Sequence, residues 1–193
     1  MFENLNKYKI LLASNSPRRK ELLFKLGLRF DVITSVEVDE SYPDSLKYEQ
    51  IPSYLAQKKA EAYMDIISDD NLLIAADTVV VCDDKVLGKP HNEAEARRML
   101  MMLSGKTHDV ITGVAILTRK AKKVFAVTTK VTFDKLGDDA IDYYISTYHP
   151  FDKAGAYGIQ EWIGCIGVSE IHGSYFNVMG LPVQRLYREL ADF

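Results

Sequence analysis

The chain is poor in cysteine: Cys82 and Cys165 are the only two, and neither sits in a ligand-spaced cluster. A disulfide framework or a structural zinc site is therefore not what holds the fold. Long hydrophobic runs are also missing. None reaches the length of a membrane span, and the N-terminus lacks the apolar core of a signal peptide. The expectation is a cytoplasmic protein with no membrane partner. Cationic excess is absent too, with 24 Lys and Arg against 27 Asp and Glu and a formal charge of -3. A general nucleic-acid coat, which needs a basic surface, is disfavoured, so any anion site must be a local pocket. Repeats and low-complexity tracts do not occur. What is there is 193 residues of ordinary globular composition, enough for one large domain or one domain with two lobes.

Within that ordinary chain, one junction stands out. Ile10-Leu11-Leu12-Ala13 reads as a buried strand running into the polar turn Ser14-Asn15-Ser16, after which Pro17-Arg18-Arg19 opens a helix. Ser16 suits the N-cap and Pro17 the first helical position. Leu22, Leu23 and Leu26 share one face, and Gly27 stops the helix. A helix N-terminus already carries partial positive charge and unpaired N–H groups, so Arg18 and Arg19 there are locally unfavourable. A polyphosphate would offset them; two solvated arginines are the bland alternative.

The remaining elements alternate. Phe30 to Thr34 reads as a short strand, and residues 35–50 as a long polar loop. Pro52 to Ile67 is an amphipathic helix with Leu55, Ala56, Tyr63 and Ile66 on its buried face. Leu72 to Cys82 is almost wholly apolar, as suits a strand covered on both faces. A turn follows at Asp83-Asp84-Lys85. Asn92 and Glu95 form a capping box opening a helix to Leu103, closed by Gly105. Asp109 to Thr118 and Val124 to Phe133 read as a hairpin. Asp138 to Tyr148 is a helix, residues 149–160 are Gly-rich and irregular, Ile163 to Ile171 and Tyr175 to Met179 read as strands, and Pro182 to Leu190 is a terminal helix. The pattern implies an α/β fold with a mixed twisted sheet and flanking helices, its smaller lobe inserted near residues 34–70 or built on the hairpin.

Four places carry chemistry. Asp77 is an acid inside the apolar run, where a carboxylate needs a partner because desolvation is costly. It reads either as a turn-capping residue or as a catalytic or metal-binding carboxylate, with Thr78 beside it offering a hydroxyl. Lys89, between Gly88 and Pro90, stands on a stiff turn where it could meet a phosphate or solvent. Of Lys58 and Lys59, one is expected to face solvent and the other a cleft. Asp152 to Gln160 surrounds Tyr157 with small residues and ends in an amide. Gln160 could accept from N3–H and donate to O4 of a uracil or thymine edge, or tie down its own loop. Ser104-Gly105-Lys106-Thr107 is not a phosphate-binding loop, because it ends a helix rather than starting one.

Five segments in order then match one pattern: Ala13-Ser14-Asn15-Ser16-Pro17-Arg18-Arg19, Ala76-Asp77-Thr78, Gly88-Lys89-Pro90, Leu103 to His108, and Lys153-Ala154-Gly155-Ala156-Tyr157-Gly158-Ile159-Gln160. Over nearly its whole length the chain resembles the Maf family of nucleoside triphosphate pyrophosphatases. The resemblance implies a single domain, residues 1–193, with two lobes around a central cleft and an inosine-triphosphate pyrophosphatase-like fold. It implies hydrolysis of a nucleoside triphosphate to monophosphate and pyrophosphate with a divalent cation, Mg or Mn, and a homodimer. It makes Asp77 the catalytic residue and assigns base selection to Arg18, Thr78 and Gln160. Ser14, Arg19, Lys59 and Lys89 match further substrate-binding positions, and Glu40 joins Asp77 as an acidic metal-site position. The intact Lys-Ala-Gly-Ala-Tyr-Gly-Ile-Gln string resembles the subgroup acting on dTTP and UTP; a sister subgroup prefers 7-methyl-GTP. The chain departs from the pattern at Tyr148-His149-Pro150, where an acid often precedes the proline, and at the bulky Trp162.

An ordinary carboxylate is a feeble base at neutral pH, which favours metal ligation and water orientation over proton abstraction for the acid. Two rivals come from other classes. A metal-dependent phosphatase with Asp77 as nucleophile would want a second acid where Ala75 stands. A nucleotide-sensing partner protein affecting cell division would bind without turnover. All of these readings need Asp77 and the arginine-bearing helix mouth to converge in space.

Overall fold

Apolar runs and turn chemistry place seven strands in one mixed sheet in the structure, a computed structural model that describes residues 2–193. The strands are β1 (Lys9–Leu12), β2 (Asp31–Val32), β3 (Asn71–Cys82), β4 (Lys85–Leu87), β5 (Thr107–Leu117), β6 (Lys122–Phe133) and β7 (Val168–His172). Their order is β2-β1-β3-β5-β6-β7, with β4 paired to β3. β1 runs parallel to both β2 and β3, in register Leu11 with Asp31 and with Leu73. β4 and β7 run antiparallel to β3 and β6. The helices are α1 (Pro17–Lys25), α2 (Ile51–Glu61), α3 (Glu93–Leu103), α4 (Asp138–Tyr148), α5 (Trp162–Gly167), α6 (Tyr175–Val178) and α7 (Val183–Ala191). The mixed sheet and flanking helices meet the α/β expectation. The chain divides into two units, the first holding residues up to Asp77, Thr112–Val127 and Gly180–Phe193, the second Thr78–Ile111 and Thr128–Met179. Residues 34–70 thus belong to the first unit, and the second takes in one part of each hairpin strand.

In the first unit, Leu11, Leu73, Ala75, Ala115 and Leu117 of the sheet bury against Ala56, Ala60, Tyr63 and Ile67. The small residues let α2 lie close to the sheet. At Gly113 a Cβ would come 2.2 Å from the carbonyl carbon of Pro52, so no side chain fits where α2 begins. The helix ends earlier than its periodicity predicts, at Glu61. Beyond it the chain tightens into three-residue turns, with Tyr63 N donating to Ala60 O and Ile66 N to Tyr63 O. The change of pitch puts Ile67 inside (1% exposed) and Ile66 outside (56%), the reverse of the helical expectation. The strand expected over Phe30 to Thr34 shrinks to two exposed residues, because β2 is an edge strand paired only to β1.

The second unit contains a strand that the sequence reading did not anticipate. Asp83 and Asp84 both take left-handed backbone angles, φ 49 and 58, which is the geometry of a tight hairpin turn and sends the chain back as β4. Asn92 caps α3 by accepting from Glu95 N, as the capping box requires. Two expected strands are corrected. Ile163 to Gly167 is helical and only Val168 to His172 is strand; Gly164 N donates to Glu161 O, and a Cβ at Gly164 would sit 1.9 Å from Ile159 O. Tyr175 to Val178 is a helical turn, capped by Ser174 Oγ accepting from Asn177 N. Cys82 and Cys165 are both free thiols.

Candidate functional site

Asp77 lies at the end of the first unit's part of β3 and is buried, 8% exposed. Its partner comes from α2. Lys59 Nζ is 2.6 Å from Asp77 Oδ1 and 2.7 Å from Glu40 Oε1, so one ammonium joins two carboxylates. The neighbouring Lys58 turns the other way, to Asp39 Oδ2 at 3.2 Å and Ser41 O at 3.1 Å on the surface. One lysine of the pair faces outward and the other enters the acid cluster. Asp39 is held down to about 2, chiefly by the Ser41 hydroxyl and then by the Ser41 N–H and Lys58.

The mouth of α1 supplies the cations. Ser16 caps the helix by accepting from Arg19 N, with Pro17 in the first turn. Ser14 Oγ accepts from Ser16 N at 3.2 Å, which fixes the turn, and lies 3.5 Å from an Arg19 terminal nitrogen. Arg19 Nε donates to Gly180 O at 2.8 Å. Its pKa is lowered by desolvation, raised again by the charge of Asp77, lowered by Arg18 and raised by Glu40. Both acids therefore act on Arg19 directly. The charges of the strand-borne acid and of Glu40 thus reach Arg19 at the helix mouth. Within the first unit the structure brings together Ser14, Arg18, Arg19, Glu40, Lys59 and Asp77.

Thr78, Lys89 and Gln160 belong to the second unit. Thr78 is the half-buried member of β3. Lys89 is exposed on the turn after β4. That turn is stitched to the Gly-rich loop, because Gly155 N donates to Gly88 O at 3.0 Å. Gly155 has φ +70 and lies on Val80, where a Cβ would meet the side chain at 3.0 Å. Tyr157 is buried with its hydroxyl 2.8 Å from His108 Nε2. Burial pushes the Tyr157 hydroxyl pKa up and brings His108 down to about 4, so this pair is neutral at pH 7. Gln160 Oε1 is buried and finds no hydrogen-bond partner among the described residues. A covered acceptor left in this way is costly unless a ligand donates to it. Lys106, in the rejected phosphate-loop string, is paired with Asp83 at 2.5 Å.

Two residues of this loop system escaped the sequence reading. Tyr144 OH donates to Glu161 Oε2, and Gly158 N donates to the same hydroxyl at 3.0 Å. The spacing of Ile141, Tyr144 and Ile145 signals a buried helix face, but nothing local links Tyr144 to Glu161.

The donor set fits a hard divalent cation. Asp77 and Glu40 already converge on one positive group, and a magnesium-type ion takes one or two carboxylates and completes its shell with substrate phosphates and water. Among the described residues no group of three or more His, Cys, Asp or Glu gathers to hold a metal alone.

An acid and an arginine-bearing helix mouth on an α/β sheet are chemistry that suits an anionic ligand. The chain belongs to the Maf family, whose Maf-like protein model matches residues 9–193. It is 62% identical over 190 residues to the dTTP/UTP pyrophosphatase of Phocaeicola vulgatus, covering 98% of each chain. It is 57% identical to the protein of that name from Parabacteroides distasonis over the full length of both, and 47% identical to that of Flavobacterium psychrophilum over 99% of this chain and 96% of that one. Among solved structures, the Staphylococcus aureus Ham1 protein shares the fold at a TM-score of 0.51 with 18% identity, covering 94% of this chain and 99% of that one.

Proposed function

We propose that the protein hydrolyses dTTP and UTP to the nucleoside monophosphate and pyrophosphate. The observation that carries the reading is the joint neighbourhood of Lys59, Asp77, Glu40 and Arg19. The names of its relatives support the substrate class. Water attacks the α-phosphorus, the bond to the bridging oxygen breaks, and pyrophosphate leaves with the electron pair. Charge grows on the leaving oxygens, and in this reading Arg18, Arg19 and Lys89 neutralise it. Asp77 orients the attacking water, and Lys59 holds Asp77 and Glu40 in position. Asp77 and Glu40 would hold the divalent ion, Mg or Mn, which when bound supplies Lewis-acid stabilisation of the phosphates. Gln160 pairs its orphaned oxygen with N3–H of uracil or thymine, while Arg18 and Thr78 complete base selection and Ser14 shapes the turn. A single domain, cytoplasmic residence and a homodimer belong to the same proposal. No helix among the described residues is long and apolar enough to cross a membrane.

A panel of ordinary and modified nucleoside triphosphates with separate detection of pyrophosphate and orthophosphate tests the reading. Pyrophosphate release with dTTP and UTP as best substrates is the expected result. Orthophosphate as product would move the protein to the phosphatase class, a preference for 7-methyl-GTP to the sister subgroup, and tight binding without turnover to a nucleotide sensor.

A further inference from the structure

The Gly-rich loop is anchored by charges that the hydrolytic reaction does not use. Lys153 is buried, with 8% of its side chain exposed, and its ammonium lies 2.7 Å from Asp152 Oδ1 and 3.1 Å from Glu161 Oε1. The other oxygen of Glu161 accepts from Tyr144 OH, and that hydroxyl accepts from Gly158 N. Both oxygens of Glu161 are thus taken, one by a cation and one by a buried phenol. The loop is tied at Gly158 and Glu161 to a tyrosine with no exposed surface, and Lys153 holds Glu161 by its other oxygen.

Gln160 is caught inside this arrangement. A Cβ on Gly158 would stand 2.9 Å from Gln160 Nε2 and 2.9 Å from Glu161 Cδ. The amide nitrogen and the carboxylate therefore both press on the α-carbon of Gly158, where no side chain would fit between them. A carboxylate attracts the amide NH₂ end and repels its oxygen. The oxygen is left at the other end, buried and unpaired among the described residues. The two polarities of this amide read different bases. With its oxygen toward N3 it complements uracil and thymine, which carry N3–H and an O4 acceptor. Reversed, it complements cytosine, whose N3 accepts and whose N4 donates.

We propose that Glu161, gripped by Lys153 and Tyr144, is a positioning residue that fixes the polarity of the Gln160 amide and so admits uracil and thymine while rejecting cytosine. The inference rests on the base-reading role given to Gln160 above. Glu161 touches no substrate in this scheme and acts only through its neighbour.

The test is the ratio of kcat/KM for UTP to that for CTP in the wild type, Gln160→Ala, Glu161→Gln, Tyr144→Phe and the double variant Gln160→Ala/Glu161→Gln. Glu161→Gln is expected to lower the ratio about tenfold, the value of one correctly aimed hydrogen bond, with the loss on UTP appearing mainly in KM. Tyr144→Phe, which removes a single oxygen, is expected to move the ratio in the same direction by less and serves if Glu161→Gln does not fold. In the Gln160→Ala background, Glu161→Gln is expected to change the ratio no further, as for two residues acting as one unit. A ratio that Gln160→Ala moves and neither Glu161→Gln nor Tyr144→Phe moves, even with a lowered Tm, overturns the clamp and leaves base reading intact. Effects that add in the double variant overturn it as well. A ratio that Gln160→Ala itself leaves alone removes the base-reading role, and the clamp with it.

Discussion

The two units treat charge in opposite ways. In the first, Lys59 pairs with Glu40 and Asp77, whose charges also act on Arg19, and Arg19 is desolvated there despite the cost to its charged form. In the second, burial keeps titratable groups neutral: His108 falls to about 4, while the hydroxyls of Tyr144 and Tyr157 are pushed up. The one buried cation there, Lys153, is already matched by Asp152 and Glu161. The first arrangement suits a reaction in which negative charge moves, because fixed charges set in advance need no reorganisation when it does. The second suits the reading of a neutral heterocycle edge, which fixed full charges would blur. Asp77 and Gln160 are therefore expected to respond differently to substitution, the first in turnover and the second in selection.

That division can be broken in several places. The largest effect is expected from Asp77→Asn, a fall in pyrophosphate release on the order of 10³-fold. Its residual activity should keep the base ranking of the wild type; a variant that turns over normally, or that loses ranking, dissolves the comparison. Next comes a pH effect confined to the second unit. The folded value of His108, about 4, lies below its ordinary 6.5, so between these values the unfolded chain binds a proton that the native one does not. Stability is complete above the upper value and declines as pH falls toward the lower, by about 3 kcal/mol from this group. Urea melts of wild type and His108→Gln along that range should differ in slope, the variant losing the acid dependence. Gln160→Ala is expected to relax base selection about tenfold, more than it slows the best substrate. Equal losses on all bases would make Gln160 a structural residue. The smallest change belongs to Lys58→Ala, under about twofold in kcat/KM, since its pairing with Asp39 is at the surface. A large loss there would mean that the wrong lysine of the pair has been placed with the acids.

Local chemistry explains which parts of this picture were legible in the sequence. The strand-to-helix junction at Ser14 to Arg19 declares itself because N-cap, first-turn proline and stop glycine act within a few residues. Asp77 was visible as an acid in an apolar run. The short segments Ile163 to Gly167 and Tyr175 to Val178 were not, because β-branched and aromatic residues over so few positions fit either state. There the deciding contacts are the Ser174 cap and the packing of Gly164 on Ile159. The pairing of Lys59 with Glu40 crosses a long polar loop, and that of Tyr144 with Glu161 joins a helix to the far end of the Gly-rich stretch. Neither contact leaves a periodic trace. Family resemblance supplied Glu40; nothing supplied Tyr144 or Glu161.

The site of attack is what the whole account turns on, and heavy-oxygen water reads it directly. UTP hydrolysed to completion in labelled solvent, with both products weighed by mass spectrometry, should carry the solvent oxygen in UMP and leave the pyrophosphate unlabelled. Label in pyrophosphate or in orthophosphate would place the attack on another phosphorus and contradict the role given to Asp77 and its cations.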